Sequence, residues 1–158
     1  MKQSQVMPIL EPAPHHGHGF SLVELLVALA IAAVLLFVAL PGYQFMVLKS
    51  TRAAARATLL DVVSRQEQYF VNHKRYAINL GGLGLPEPYH VDSRGEAVES
   101  GAASYNVSLE LRDGNYTGAV AAPVNRQASD SQCLAFSLSH SGVRAVSGAQ
   151  ASSPGTCW

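Results

Sequence analysis

The chain has 158 residues, a formal net charge of zero and only 14% charged residues. That length allows one modest domain plus an anchor, and the neutral balance implies no strongly acidic or basic partner. Removing residues 1–19 would delete Lys2 and Glu11 together, so the remainder stays neutral and must rely on Ser, Thr, Asn, Gln and Gly for solubility.

The first segment, Met1 to Gly19, carries Pro8, Pro12 and Pro14, which argue against a helix. His15, His16 and His18 stand near its end, where a metal site is a weak reading for so short a leader. Gly19-Phe20-Ser21-Leu22-Val23-Glu24 then opens an apolar run that continues to Leu40 and stops at Pro41-Gly42. As a helix rising about 1.5 Å per residue, Phe20 to Leu40 would span roughly 30 Å, the hydrocarbon thickness of a bilayer. Glu24 lies one turn inside that run. An ionised carboxylate there costs about 2.5 kcal/mol or more, so it predicts a partner. A secretory signal peptide fits poorly. The apolar stretch is too long, Val38-Ala39-Leu40-Pro41 is a poor cleavage site, and Glu24 has no place in it.

Helical character continues past Pro41. Tyr43 to His73 is rich in helix formers, and Leu59, Val62, Val63, Tyr69 and Phe70 recur at three- and four-residue spacing. Arg52, Arg56, Asp61, Arg65 and Lys74 mark the opposite, solvent-facing side. Pro41-Gly42 therefore reads as a kink or locally melted turn inside one long helix. Gly81-Gly82-Leu83-Gly84-Leu85-Pro86 is a turn-rich linker; no Gly-Lys-Ser/Thr follows to make it a phosphate loop. Tyr89 to Ser104 is polar and without a period. Four strands are expected after it. Tyr105–Leu111 and Asn115–Ala121 are joined at Asp113-Gly114; Gln132–Ser139 and Val143–Ser147 are joined at Ser141-Gly142. The Leu59 to Phe70 stripe would cover their apolar face. Cys133 and Cys157 form an even pair in an exported chain, which favours a disulfide over two reduced thiols. Such a bridge would tie the last strands to the Ser-, Gly- and Ala-rich tail and stabilise it by about 3 kcal/mol.

Gly19, Phe20, Ser21, Leu22, Val23, Glu24, the apolar run and Pro41 together resemble the prepilin signature of type IV pilins and the related pseudopilins. Gln66-Glu67-Gln68-Tyr69-Phe70, Asn72, Arg75-Tyr76-Ala77 and Leu80 are most similar to PilE-type minor pilins. So are Ala122-Pro123, Gln127, Asp130, Cys133 and the ending Cys157-Trp158. The resemblance implies an α+β pilin fold: a long N-terminal helix whose hydrophobic half protrudes, and whose second half packs on a four-stranded antiparallel sheet with a C-terminal disulfide loop. It implies a leader at residues 1–19, a transmembrane and filament-core helix at 20–42, and a periplasmic domain at 43–158. A prepilin peptidase would cut between Gly19 and Phe20, and the Phe20 amine would be methylated. The family's leaders are usually basic beside the cut, whereas this one has histidines there. Glu24 is the expected assembly contact, pairing with the Phe20 amine of a neighbouring subunit. The partners implied are the prepilin peptidase, other major and minor pilins, and the inner-membrane assembly platform. The chain would wait in the inner membrane before joining a surface filament.

No catalytic constellation is evident. His73, His90 and His140 are scattered, no nucleophile elbow occurs, and the carboxylates form no recognisable pair, so neither an enzyme nor a cofactor is expected. No basic stripe with interleaved aromatics supports nucleic-acid binding. The leading expectation is a minor pilin of a type IV pilus, serving motility, adhesion or DNA uptake. The alternatives are a pseudopilin of a type II secretion system and a single-pass anchored periplasmic protein that does not polymerise. The cysteines, and the absence of a late acidic cluster, favour the first over the second.

Overall fold

The computed structural model describes residues 19–158, so the leader readings on Lys2, the prolines and His15, His16 and His18 lie outside the described residues. One helix, α1, covers Leu22–His73 and passes through Pro41-Gly42. Five strands follow: β1 (Tyr89–Val91), β2 (Tyr105–Arg112), β3 (Asn115–Pro123), β4 (Phe136–Ser139) and β5 (Arg144–Val146). The chain divides into two compact units between Ala39 and Leu40.

In the first unit the helix begins one residue after Ser21, whose carbonyl accepts the Leu25 amide at 3.1 Å. The segment Leu22–Leu40 has a mean hydropathy of 2.9 and none of it is buried within the chain. It is long and apolar enough to cross a membrane.

The second unit is an α+β layer. Its strands form one antiparallel meander in the order β1-β2-β3-β4-β5. Ala55, Leu59 and Val62 from the helix are fully buried against Tyr105, Val107, Ala119, Ala121 and Phe136 from the sheet. Burying each large apolar side chain contributes about 1.5–3 kcal/mol. Thr51, Thr58 and Gln66 are the buried polar residues of the helix, and Gln66 is the largest. Fully buried, it donates from Nε2 to the Ala77 carbonyl and accepts the Ala77 amide at Oε1, both at 2.9 Å. That two-way bond clamps the chain leaving the helix. The expected stripe is therefore correct at Leu59 and Val62, while Phe70 remains 38% exposed.

The sheet has five strands rather than four. Tyr89–Val91, within a stretch read as irregular, pairs with Tyr105–Val107. Three residues are too few for an alternation to stand out, yet Tyr89 and Val91 are both buried core residues. The fourth strand also starts later than expected, at Phe136, because Ser131 to Cys133 turn with Leu134 at a positive φ of 50°. At the β2–β3 connection Asp113 and Gly114 both take positive φ, 52° and 77°, the conformation a two-residue hairpin turn requires. Gly118 answers a different need: a Cβ there would lie 2.8 Å from the Leu138 carbonyl oxygen, so any side chain would push β3 away from β4.

The carboxyl-terminal tail is tied at two places. Cys133 and Cys157 form the disulfide, with Cα atoms 5.9 Å apart. Trp158 is half-buried: its edge-on contact with Phe136 has a centroid distance of 5.8 Å, and its indole N–H donates to the Ala145 carbonyl at 2.9 Å.

Candidate functional sites

Two places in the chain hold residues that the fold itself does not use. The first is the helix start. Phe20 is 77% exposed and Glu24, in the first turn of α1, forms no ion pair among the described residues. A carboxylate in a first helical turn interacts favourably with the helix dipole, but by well under the cost of placing it in hydrocarbon. A Cβ at Gly19 would meet nothing within 4 Å, so packing within this chain does not call for glycine there. The same holds for Gly42. Four of the sequence-predicted residues, Gly19, Phe20, Glu24 and Gly42, thus lack an intramolecular reason to be what they are. Cys133 and Cys157 have one, because they close the tail on the core.

The second place is one end of the sheet. His140 at the β4–β5 turn donates its amide to the Thr117 carbonyl at 3.0 Å, which sets the two hairpin tips side by side. This turn is itself braced: the Ser139 hydroxyl accepts the Val143 amide at 3.0 Å, and Gly142 takes a positive φ of 83°. The chain leaving α1 reaches the same end. Lys74 caps the helix at a φ of 56°, with its amide on the Phe70 carbonyl at 2.8 Å. Tyr76 then stacks on Phe70 at 4.8 Å and lies 5.3 Å from the Tyr116 ring. Tyr116 follows directly after the hairpin tip. Burial pushes its hydroxyl up to about 12, and that hydroxyl finds no hydrogen-bond partner among the described residues. Lys74, Arg75, Arg112, His140 and Arg144 are all exposed and come from three connections to this one end. None of the four Lys and Arg side chains forms an ion pair among the described residues. Arg144 lies over the Trp158 ring, with its guanidinium carbon 5.5 Å from the centroid, a cation–π contact. Glu110 and Asp113 share this end and moderate its charge.

The opposite end of the sheet uses its cations differently, and here the sequence reading needs correction. Arg52 and Arg56 were expected on the solvent face of the helix. Instead Arg52 grips the buried Asp130 with two hydrogen bonds, at 2.6 and 2.7 Å, and Arg56 donates to the Cys157 carbonyl at 3.0 Å. Burial raises the Asp130 carboxyl, but the bonds and charge of Arg52, with the Cys133 and Gln132 amides, outweigh it and hold the carboxyl below its ordinary value. The Asp130 hydrogen bond in turn raises Arg52. Gln127 completes the cluster by donating to Asp130 and to the Tyr105 hydroxyl, at 3.2 and 3.1 Å. Gln127 and Asp130 stand out in the sequence only through the family resemblance, and nothing local pairs them with Arg52, which is 78 residues from Asp130.

Residues 15–40 match the family model of the prokaryotic N-terminal methylation motif. Residues 41–137 match the model described as type IV minor pilin ComP, DNA uptake sequence receptor. No curated protein matches the chain. The second match covers more than half of the chain and the first supplies its amino-terminal signature, so the protein belongs to the type IV minor pilin family of ComP, the DNA uptake sequence receptor.

Proposed function

We propose that this minor pilin is the DNA-receiving subunit of its pilus, held in the filament by its amino-terminal helix and contacting DNA through the hairpin end of its sheet. The observation that carries the reading is the gathering of Lys74, Arg75, Arg112, His140 and Arg144 at one end of a domain whose family model is described as a DNA uptake sequence receptor. A few exposed cations on a neutral chain suit a weak, reversible grip on the phosphate backbone, in which each contact releases a counterion. The test is duplex binding by the mature chain at several salt concentrations. Reversing Arg112 and Arg144 to Glu should reduce affinity at least about tenfold and flatten the salt slope by about one per lost phosphate contact. Unchanged affinity with an intact fold would place the DNA surface elsewhere.

The helix start supports the assembly half of the reading. Prepilin peptidase cleaves between Gly19 and Phe20, which frees a cationic amine that is then methylated. Before assembly the chain is a single-pass inner-membrane protein with its sheet domain in the periplasm. On polymerisation the apolar helices leave lipid for the filament core, and Glu24 pairs with the Phe20 amine of a neighbouring subunit. Pro41-Gly42 lets the helix bend between the two environments. The inner-membrane assembly platform delivers the subunit. Cleavage is tested by mass spectrometry of the mature amino terminus: a terminus other than methyl-Phe20 would overturn it.

A further inference from the structure

The sheet has an open edge where β1 stops short. β1 pairs only with Tyr105, Asn106 and Val107, while β2 continues to Arg112. The direction of each peptide group follows from bonds at known places. Thr117 accepts the His140 amide and so faces β4, which by the register leaves Asn106 and Ser108 turning their backbone groups toward β3, and Tyr105, Val107 and Leu109 turning theirs away from it. Tyr105 and Val107 find β1 on that side. Leu109 does not: its amide and carbonyl have no backbone or side-chain partner among the described residues. At Glu110–Leu111 the register shifts because β3 carries the extra residue Thr117, and the alternation of β2 itself runs on unbroken.

Beside this rung lies a groove of about 470 Å³, whose walls include Ile78, Leu80, Pro88, Val107 and Leu111. Ile78 is 61% and Leu111 46% exposed, so two of these apolar walls are open to solvent. Glu87 is the single ionisable residue in the lining, and it forms no ion pair among the described residues.

We propose that this edge binds an extended peptide segment of another protein, which adds a short antiparallel strand beside Leu109. The unpaired amide and carbonyl belong to one residue and ask for a carbonyl and an amide at strand spacing, which a peptide backbone presents, while the Glu87 carboxylate in the lining disfavours the phosphates of a nucleic acid. The groove takes apolar side chains from alternate positions of the segment, and the lone Glu87 carboxylate selects a lysine or arginine on it. This inference stands apart from the DNA reading, because it uses none of the cations at the hairpin end.

The experiment is amide exchange by NMR on the mature full-length chain in detergent micelles, with the probe peptide Ac-Ser-Val-Thr-Val-Lys-Val-Ser-NH2. The Leu109 amide should exchange rapidly in the free protein and slow about tenfold at saturating peptide, the protection one added hydrogen bond gives. A peptide N-methylated at the position facing the Leu109 carbonyl should lose binding, a control that leaves the pilin untouched. Glu87→Lys should weaken the lysine peptide several-fold, and a peptide with Glu in place of Lys should restore it. A Leu109 amide already protected without peptide, equal binding of the N-methylated peptide, protection that rises with protein concentration alone, or the same protection from a DNA duplex would each overturn the proposal.

Discussion

The first turns of the helix and the sheet domain follow opposite rules. Between Leu22 and Leu40 no residue is buried, and Glu24 has no ion-pair partner among the described residues. In the sheet domain the buried polar residues Thr51, Thr58, Gln66, Gln127 and Asp130 are each bonded within the chain. The contrast separates residues that serve the molecule from residues that serve its neighbours. An apolar helix with nothing against it is stable only in lipid or among other helices, so its sequence records an environment rather than a core.

Mutations can break that contrast from either side. Glu24→Ala should have the largest effect. If the carboxylate pairs with a neighbour's amine, its loss leaves a buried charge unpaired at a cost of about 3–5 kcal/mol, enough to deplete the subunit from sheared filaments more than about a hundredfold. Thermal stability of the sheet domain should not move. Wild-type incorporation of Glu24→Ala would remove the proposed pairing.

Arg52→Ala is the mirror image. It leaves Asp130, whose side chain is 1% exposed, without its cation, and should cost the domain a similar 3–5 kcal/mol in denaturant unfolding. Replacing both cysteines with serine should cost about 3 kcal/mol by freeing the tail. A change under about 1 kcal/mol would mean that Arg56 and Trp158 hold the tail without the bridge. Acid gives a smaller, graded test. The Asp130 carboxyl is held below its ordinary value in the folded state, so the stability it adds is fully present above the unfolded value of about 4 and fades as pH falls through the lower folded value. Asp130→Asn should flatten this part of the stability profile below about pH 4, as read by thermal melts. The smallest change is expected from Gly42→Ala. With nothing within 4 Å of an added Cβ, the helix should gain up to about 1 kcal/mol, while incorporation falls if bending at Pro41-Gly42 matters.

How much of this was legible in the sequence follows from the range of the interactions. The helix start was legible because its signal is local: adjacent residues, a run length and a terminator. The hairpin at Asp113-Gly114 was legible for the same reason, since a two-residue turn depends on the residues that form it. β1 was not, because three residues show no period, and what makes Tyr89–Val91 a strand is the neighbouring edge of β2. The cationic end of the sheet escaped the search for a basic stripe because its cations come from three separate connections and converge only when the meander forms.

The sequence by itself determined the membrane-length helix, the acid set inside its apolar run, the helix-on-sheet class and the cysteine pair, all of which rest on periodicity, composition or contiguous motifs. Only the tertiary structure decided that Arg52 and Arg56 turn inward to Asp130 and the Cys157 carbonyl, that Trp158 is half core and half platform for Arg144, and that Leu109 is left with an unpaired backbone. Each of those joins residues distant in the chain, or depends on where a neighbouring strand ends, and no local pattern encodes a partner that arrives only when the chain has folded.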